Sequence, residues 1–97
     1  MGATPSERSV QLRITGRVQG VGYRAWALQV ASRLGLRGWV RNRADGSVEA
    51  LVIGGEAAID RMIEACREGP FGAGVADVAV SDAADDGSIG FTPRPTL

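Results

Sequence analysis

Two short segments of the chain carry groups suited to holding an oxyanion. In GRVQGVGYR, residues 16–24, three glycines (Gly16, Gly20 and Gly22) precede Arg24 near the start of an apolar run. Glycines let successive backbone N–H groups turn inward and form a nest that cradles an anion. A helix starting behind such a nest adds unpaired N–H donors and the positive end of its dipole. Arg24 brings a planar fork of donors that fits a phosphate's oxygens. A cation in a first helical turn opposes the dipole, so its presence there points to an anionic ligand. In GWVRNRADGSVEA, residues 38–50, Asn42 carries a carboxamide that donates to one oxygen and accepts from another, which suits holding a water molecule. Taken singly, a glycine-rich turn and an asparagine beside a hairpin are ordinary turn chemistry. A site requires the fold to bring them together.

The composition narrows the chemistry further. There is no histidine, which removes the usual general base at neutral pH, any serine–histidine triad and the commonest metal ligand. Cys66 is the one cysteine, so an intramolecular disulfide and cysteine-based zinc sites are excluded. No metal site and no cofactor are expected. The length of 97 residues has room for one domain, expected over 8–97 behind a flexible segment 1–7. No apolar run approaches the ~20 residues that span a bilayer, and the N-terminus lacks a signal peptide's apolar stretch. A cytoplasmic monomer without membrane contact is the expectation. All basic residues are arginine; residues 8–43 hold eight of them and no acid, whereas 44–97 hold ten acids and three arginines. That asymmetry suits an anionic partner for the first half, or simply charges intermixed on a solvated surface. The zero net charge argues against nucleic acid.

The elements that must position these groups follow from periodicity. SVQLRIT (9–15) alternates with Val10, Leu12 and Ile14 on one face, a strand pattern that leads into the glycine loop. From Tyr23 to Leu34, the residues Tyr23, Ala27, Val30, Ala31 and Leu34 recur at helical spacing, and Gly35 is placed to end that helix in a left-handed cap. LRGWVRN and SVEALVI read as two strands joined by ADGS, whose Asp45-Gly46 pair signals a hairpin. After Gly54-Gly55, a second helix shows Ile59, Met62, Ile63 and Cys66 on one face and ends at Gly69-Pro70. VADVAVSD predicts a fourth strand with Ala76, Val78 and Val80 inward. A short fifth strand is expected around Ile89–Thr92, confined to an edge by Pro93 and Pro95. Trp26, Trp39 and Cys66 read as packing residues, Asp85-Asp86 as a solvated loop, and Arg13, Arg37 and Arg41 as surface charges.

The order is β-α-β-β-α-β, which predicts an α+β sandwich of ferredoxin-like type. Two helices would cover one face of an antiparallel sheet of four to five strands. In this arrangement the first and second strands run parallel with another strand between them, so both end at one sheet edge. The loop 16–22, the helix start with Arg24, and Asn42 should therefore converge.

With those residues in place, GRVQGVGYR followed by GWVRNRADGSVEA closely resembles the two signature segments of the acylphosphatase family. The interval from Arg24 to Asn42 fits as well. The resemblance runs from about Gln11 to Phe91 and includes the Gly-Pro after the second helix. It implies that the loop backbone of Gly16, Arg17, Val18, Gln19, Gly20, Val21 and Gly22 binds phosphate together with Arg24. It implies that Asn42 orients the attacking water. The C-terminus departs from the family's Phe-x-Ile-Arg-Tyr type of last strand: FTPRP keeps Phe91 and Arg94 but introduces Pro93 and Pro95.

Such a reaction suits a chain without histidine. The leaving carboxylate is the conjugate base of an acid with a pKa of roughly 4 to 5, by analogy with side-chain carboxyls, and needs no general acid. Phosphoryl transfer depends mainly on positioning and on stabilising charge at the equatorial oxygens. The expected partner is a small-molecule acyl phosphate. The rival readings are a non-catalytic or carbamoyl-phosphate-specific anion-binding domain, and an RNA-binding domain of the same topology. The latter lacks aromatics on its central strands for bases to stack on.

Overall fold

A computed structural model describes residues 7–97. Its elements are β1 (Glu7–Arg17), α1 (Tyr23–Arg33), β2 (Arg37–Asn42), β3 (Val48–Gly55), α2 (Glu56–Glu68), β4 (Gly74–Asp82) and β5 (Phe91–Pro93). The strands form one sheet in the order β4-β1-β3-β2-β5. This is the expected βαββαβ sandwich. The flexible segment expected over 1–7 lies outside the described residues apart from Glu7, which already opens β1.

One feature of the sheet differs from expectation. β1 pairs antiparallel with β3 and β4, and β2 antiparallel with β3, but β5 runs parallel to β2. The sheet is therefore mixed. Its fifth strand is displaced slightly from the predicted position, and it does lie at an edge. The reason is the route of the chain. β4 ends at the side of the sheet where β2 begins, and residues 83–90 cross the outer face, Ala83 packing there against Trp39, Leu51 and Ile53. A chain entering beside the start of β2 must run in the direction of β2.

Alternation along the strands builds the core. Val10, Leu12 and Ile14 of β1, Val40 of β2, and Val48, Ala50 and Val52 of β3 bury one face. Both helices lie on it, contributing Tyr23, Ala27 and Ala31 from α1 and Ile59, Met62 and Cys66 from α2. β4 departs from its expected pattern. Val78 alone is buried, while Ala76 and Val80 are exposed, Val80 to 41%. β4 is an edge strand, and the register shift opposite Thr15/Gly16 leaves Ala76 without a partner.

The outer face is more organised than a solvated surface. Asp85 accepts hydrogen bonds from Arg37, and Asp86 accepts one from the indole N–H of Trp39 at 3.2 Å. Arg37 also donates to the carbonyl of Ser88 at 2.8 Å. These contacts pull the Asp85 carboxyl below its ordinary value, Arg37 being the chief cause. The two acids lie in an exposed loop, as expected, and they also fasten that loop over Trp39.

Candidate active site

The cradle begins where β1 gives way to the loop. Gly16 has φ +110°, and a Cβ there would run into the carbonyl oxygen of Gly74 and the N–H of Ala76. Gly16 pairs with Val75, and Arg17 with Gly74, so both belong to the end of β1. Val18 follows with 1% exposure and anchors the loop in the core. Beyond it the backbone turns through Gly20 at φ +75° and Gly22 at φ +77°, left-handed conformations that favour glycine.

Gly22 caps α1, and the first helical hydrogen bond runs from the N–H of Trp26 to the carbonyl of Gly22 at 3.1 Å. The N–H groups of Tyr23, Arg24 and Ala25 are left facing out of the helix end. No side chain caps this end, and the first turn contains no acid. Across from it, Asn42 ends β2, paired with Val48. Neither the Arg24 guanidinium nor the Asn42 carboxamide has a hydrogen-bond or ion-pair partner among the described residues. Both line a cleft of about 570 Å³, together with Val18, Gln19, Gly20 and Gly22 of the loop. Tyr23, Ala25, Leu28, Gln29 and Pro93 complete the wall. Arg24 is the only charged side chain in this lining. Of the residues singled out from sequence, Gly16, Arg17 and Val21 are not in it. The first two are strand residues, and Val21 packs against the core.

Gln19 does more than lend its backbone. Its side-chain amide donates to the carbonyls of Arg43 at 2.8 Å and Ser47 at 2.9 Å, strapping the glycine loop to the turn after Asn42. That turn is itself pinned. Asp45 accepts from the Ser47 N–H at 2.9 Å and hydroxyl at 2.6 Å, contacts that hold its carboxyl below the ordinary range. Sequence reading missed the strap, whose only signal is a glutamine among glycines.

Arg41 and Arg43, on either side of Asn42, reach the outer face instead. Their guanidinium groups meet Glu49 at 2.7 and 3.4 Å. Glu49 is 3% exposed and also accepts from Gln11, with Arg13 at 3.8 Å. Arg13, Arg41 and Arg43 are thus gathered around one buried carboxylate, away from the cleft lining, and Arg13 has Asp45 at 3.3 Å as a further partner.

The comparison with known proteins decides the family. Residues 10–93 match the family model described as Acylphosphatase. The chain belongs to the acylphosphatase family. It is 51% identical over 90 residues to the acylphosphatase of Rhodospirillum rubrum, covering 93% of this chain and 99% of that one. The crystal structure of acylphosphatase from Bacillus subtilis superposes with a TM-score of 0.86 at 36% identity, covering 89% of this chain and 97% of that chain. Full-length HypF in its phosphate- and nucleotide-bound form superposes with a TM-score of 0.90 at 26% identity, covering 99% of this chain but 13% of that one. The expectations of an acylphosphatase fold and of an enzyme that hydrolyses acyl phosphates hold.

Proposed function

We propose that the chain hydrolyses acyl phosphates to a carboxylate and inorganic phosphate by direct in-line attack of water, within the cleft bounded by the 18–22 loop, α1 and the end of β2. One observation carries the reading. Arg24, the lone charge of the cleft, shares it with the open N–H end of α1 and with the uncommitted carboxamide of Asn42.

The roles follow from charge. The phosphoryl group's equatorial oxygens gain stabilisation from the loop N–H groups and the guanidinium fork of Arg24. Asn42 accepts a hydrogen bond from the attacking water and sets it in line with the scissile P–O bond. Asn42 is too weak a base to take the proton, which passes to a phosphate oxygen as the bond to the carboxylate breaks. The carboxylate leaves as a stable anion, so no general acid is called for. Gln19 holds the loop in register with the strand end that carries Asn42.

One copy of the chain supplies every group this mechanism names, which is compatible with a monomer as the working unit. A lone buried thiol, Cys66, suits the reducing cytoplasm. Among the described residues no helix is long and apolar enough to cross a membrane.

The second reading is a non-catalytic or carbamoyl-phosphate-specific anion-binding domain, and the superposition on a segment of HypF in its phosphate- and nucleotide-bound form supports anion binding alone. Rates on carbamoyl phosphate beside a larger acyl phosphate separate the two. The first reading requires turnover of the larger compound in the presence of EDTA, and the second requires binding of carbamoyl phosphate without it.

A further inference from the structure

On the outer face of the sheet, Glu49 lies beneath its arginines. It is paired across the strands with Arg13 of β1 and with Arg41 of β2, so the two bracket it from either side. Arg43, two residues past Arg41, reaches the same carboxylate. The Glu49 side chain is 4% exposed, whereas those of Arg13, Arg41 and Arg43 are 35%, 20% and 28% exposed. The acid is therefore the floor, and the guanidinium groups are the surface. None of the three lines the cleft.

The floor does not satisfy what covers it. Arg41 meets Glu49 through Nε at 2.7 Å, Arg43 through one terminal nitrogen at 3.4 Å, and Arg13 through one at 3.8 Å. Gln11 takes up part of the same carboxylate. Asp45, at the rim, adds one ion pair with Arg13 at 3.3 Å. Among the described residues these two acids alone pair with the three arginines, which leaves one positive charge over. Donors are in excess as well, because a guanidinium carries N–H groups on all three nitrogens. The Nε of Arg13 is buried with no acceptor among the described residues. A buried donor in that state marks a shortage of acceptors, the kind that a water or an ion makes good. Arg41 is already fixed in place, its guanidinium carbon 4.6 Å from the centroid of the Trp39 ring.

We propose that the surface over Glu49 is a second anion site, formed by Arg13, Arg41 and Arg43, and that it takes a small oxyanion of the phosphate type. A tetrahedral oxyanion offers acceptors in several directions and suits guanidinium groups arriving from two strands. The anion sits on the solvent side of the arginines, with Glu49 on the other. Glu49, Trp39 and Asp45 hold the guanidinium groups beforehand, so little ordering accompanies binding. The site shares no residue with the cleft, and it stands or falls independently of the reading given there.

The test is a titration with inorganic phosphate followed by two-dimensional 15N–1H NMR, against sodium chloride at matched ionic strength. It uses Arg24→Ala, whose cleft has lost its cation, with Arg13→Gln or Arg43→Gln added in turn. Each protein is first checked for folding by its amide spectrum. In Arg24→Ala, the backbone amides of residues 13, 41, 43 and 49 and the Nε–H signals of the three arginines should shift and saturate with phosphate. Adding either Arg→Gln change should weaken that binding about tenfold, the scale of one hydrogen bond to a charged group. Two independent substitutions keep the test open if one of them fails to fold. Shifts that sodium chloride reproduces would mean screening alone and overturn the site. So would the absence of saturating shifts at these positions, or an affinity that a folded Arg→Gln variant leaves unchanged.

Discussion

The phenol of Tyr23, first residue of α1, donates to the main-chain carbonyl of Cys66 in the last turn of α2 at 2.7 Å. In an uninterrupted helix that carbonyl would accept from the N–H of residue 70, but Pro70 has none. Gly69, at φ +71°, ends α2, and a Cβ there would come within 3.1 Å of the Tyr23 ring. The Gly-Pro after α2 and the tyrosine beside Arg24 are therefore one device. It ties the helix start that lines the cleft to the far end of the other helix.

Replacing Tyr23 with Phe keeps the ring and strands the Cys66 carbonyl without its partner. Leaving one buried acceptor unpaired costs about 1–3 kcal/mol. Urea denaturation should show a fall of that size in unfolding free energy, and an unchanged midpoint would contradict the capping role.

Alkaline stability follows from the same pair. Burial pushes the Cys66 thiol up from 9.0 to about 11, and burial, with Cys66 adding to it, drives the Tyr23 phenol higher still. Between those limits the unfolded chain releases protons that the native state keeps, so stability falls as pH rises. The decline should begin near pH 9, the ordinary value for the thiol. Cys66→Ala should flatten its first part, to about pH 11, while Tyr23 still titrates in the unfolded chain. Denaturation midpoints from pH 7 to 11 in both proteins check the slope.

Glu49 collects Arg41 and Arg43, which flank Asn42, on the outer face. Glu49→Gln leaves these half-buried guanidinium groups without their counter-charge. Removing one partner of a buried pair costs on the order of 3–5 kcal/mol, and the lower end applies because the arginines retain solvent contact. Thermal denaturation should register the loss, and a variant as stable as wild type would show the cluster to be inert.

Gln19→Leu removes both strap bonds while leaving the loop backbone intact. With loop and Asn42 out of register, kcat should fall by about tenfold or more, since small misplacements are costly in rate. A purely structural glutamine would lower stability and leave kcat alone, so kcat and the denaturation midpoint are read together.

Much of this design is local and was legible in the residues. The alternation of Val10, Leu12 and Ile14, the Asp45-Gly46 turn and the stop at Gly35 each depend on neighbours in sequence. At Gly35 the structure shows the left-handed backbone at φ +71°. The features that escaped are set by distant contacts. The parallel pairing of β5 depends on where residues 83–90 cross the sheet. Gly16 reads like Gly20, yet it is a strand residue, because Gly74 lies against it. Gln19 finds Arg43 and Ser47 only once the hairpin is folded beside the loop. At the site, the convergence of Arg24 and Asn42 followed from topology, while the lining supplied by Leu28 and Pro93 did not.

The most direct test is hydrolysis of benzoyl phosphate with EDTA present by wild type, Arg24→Ala and Asn42→Ala, each verified as folded. Removing one group that stabilises or positions the transition state should cost on the order of 100-fold or more in kcat. Turnover by wild type and collapse in both variants is the predicted result. Variants that keep the wild-type rate would place the chemistry outside this cleft and contradict the account.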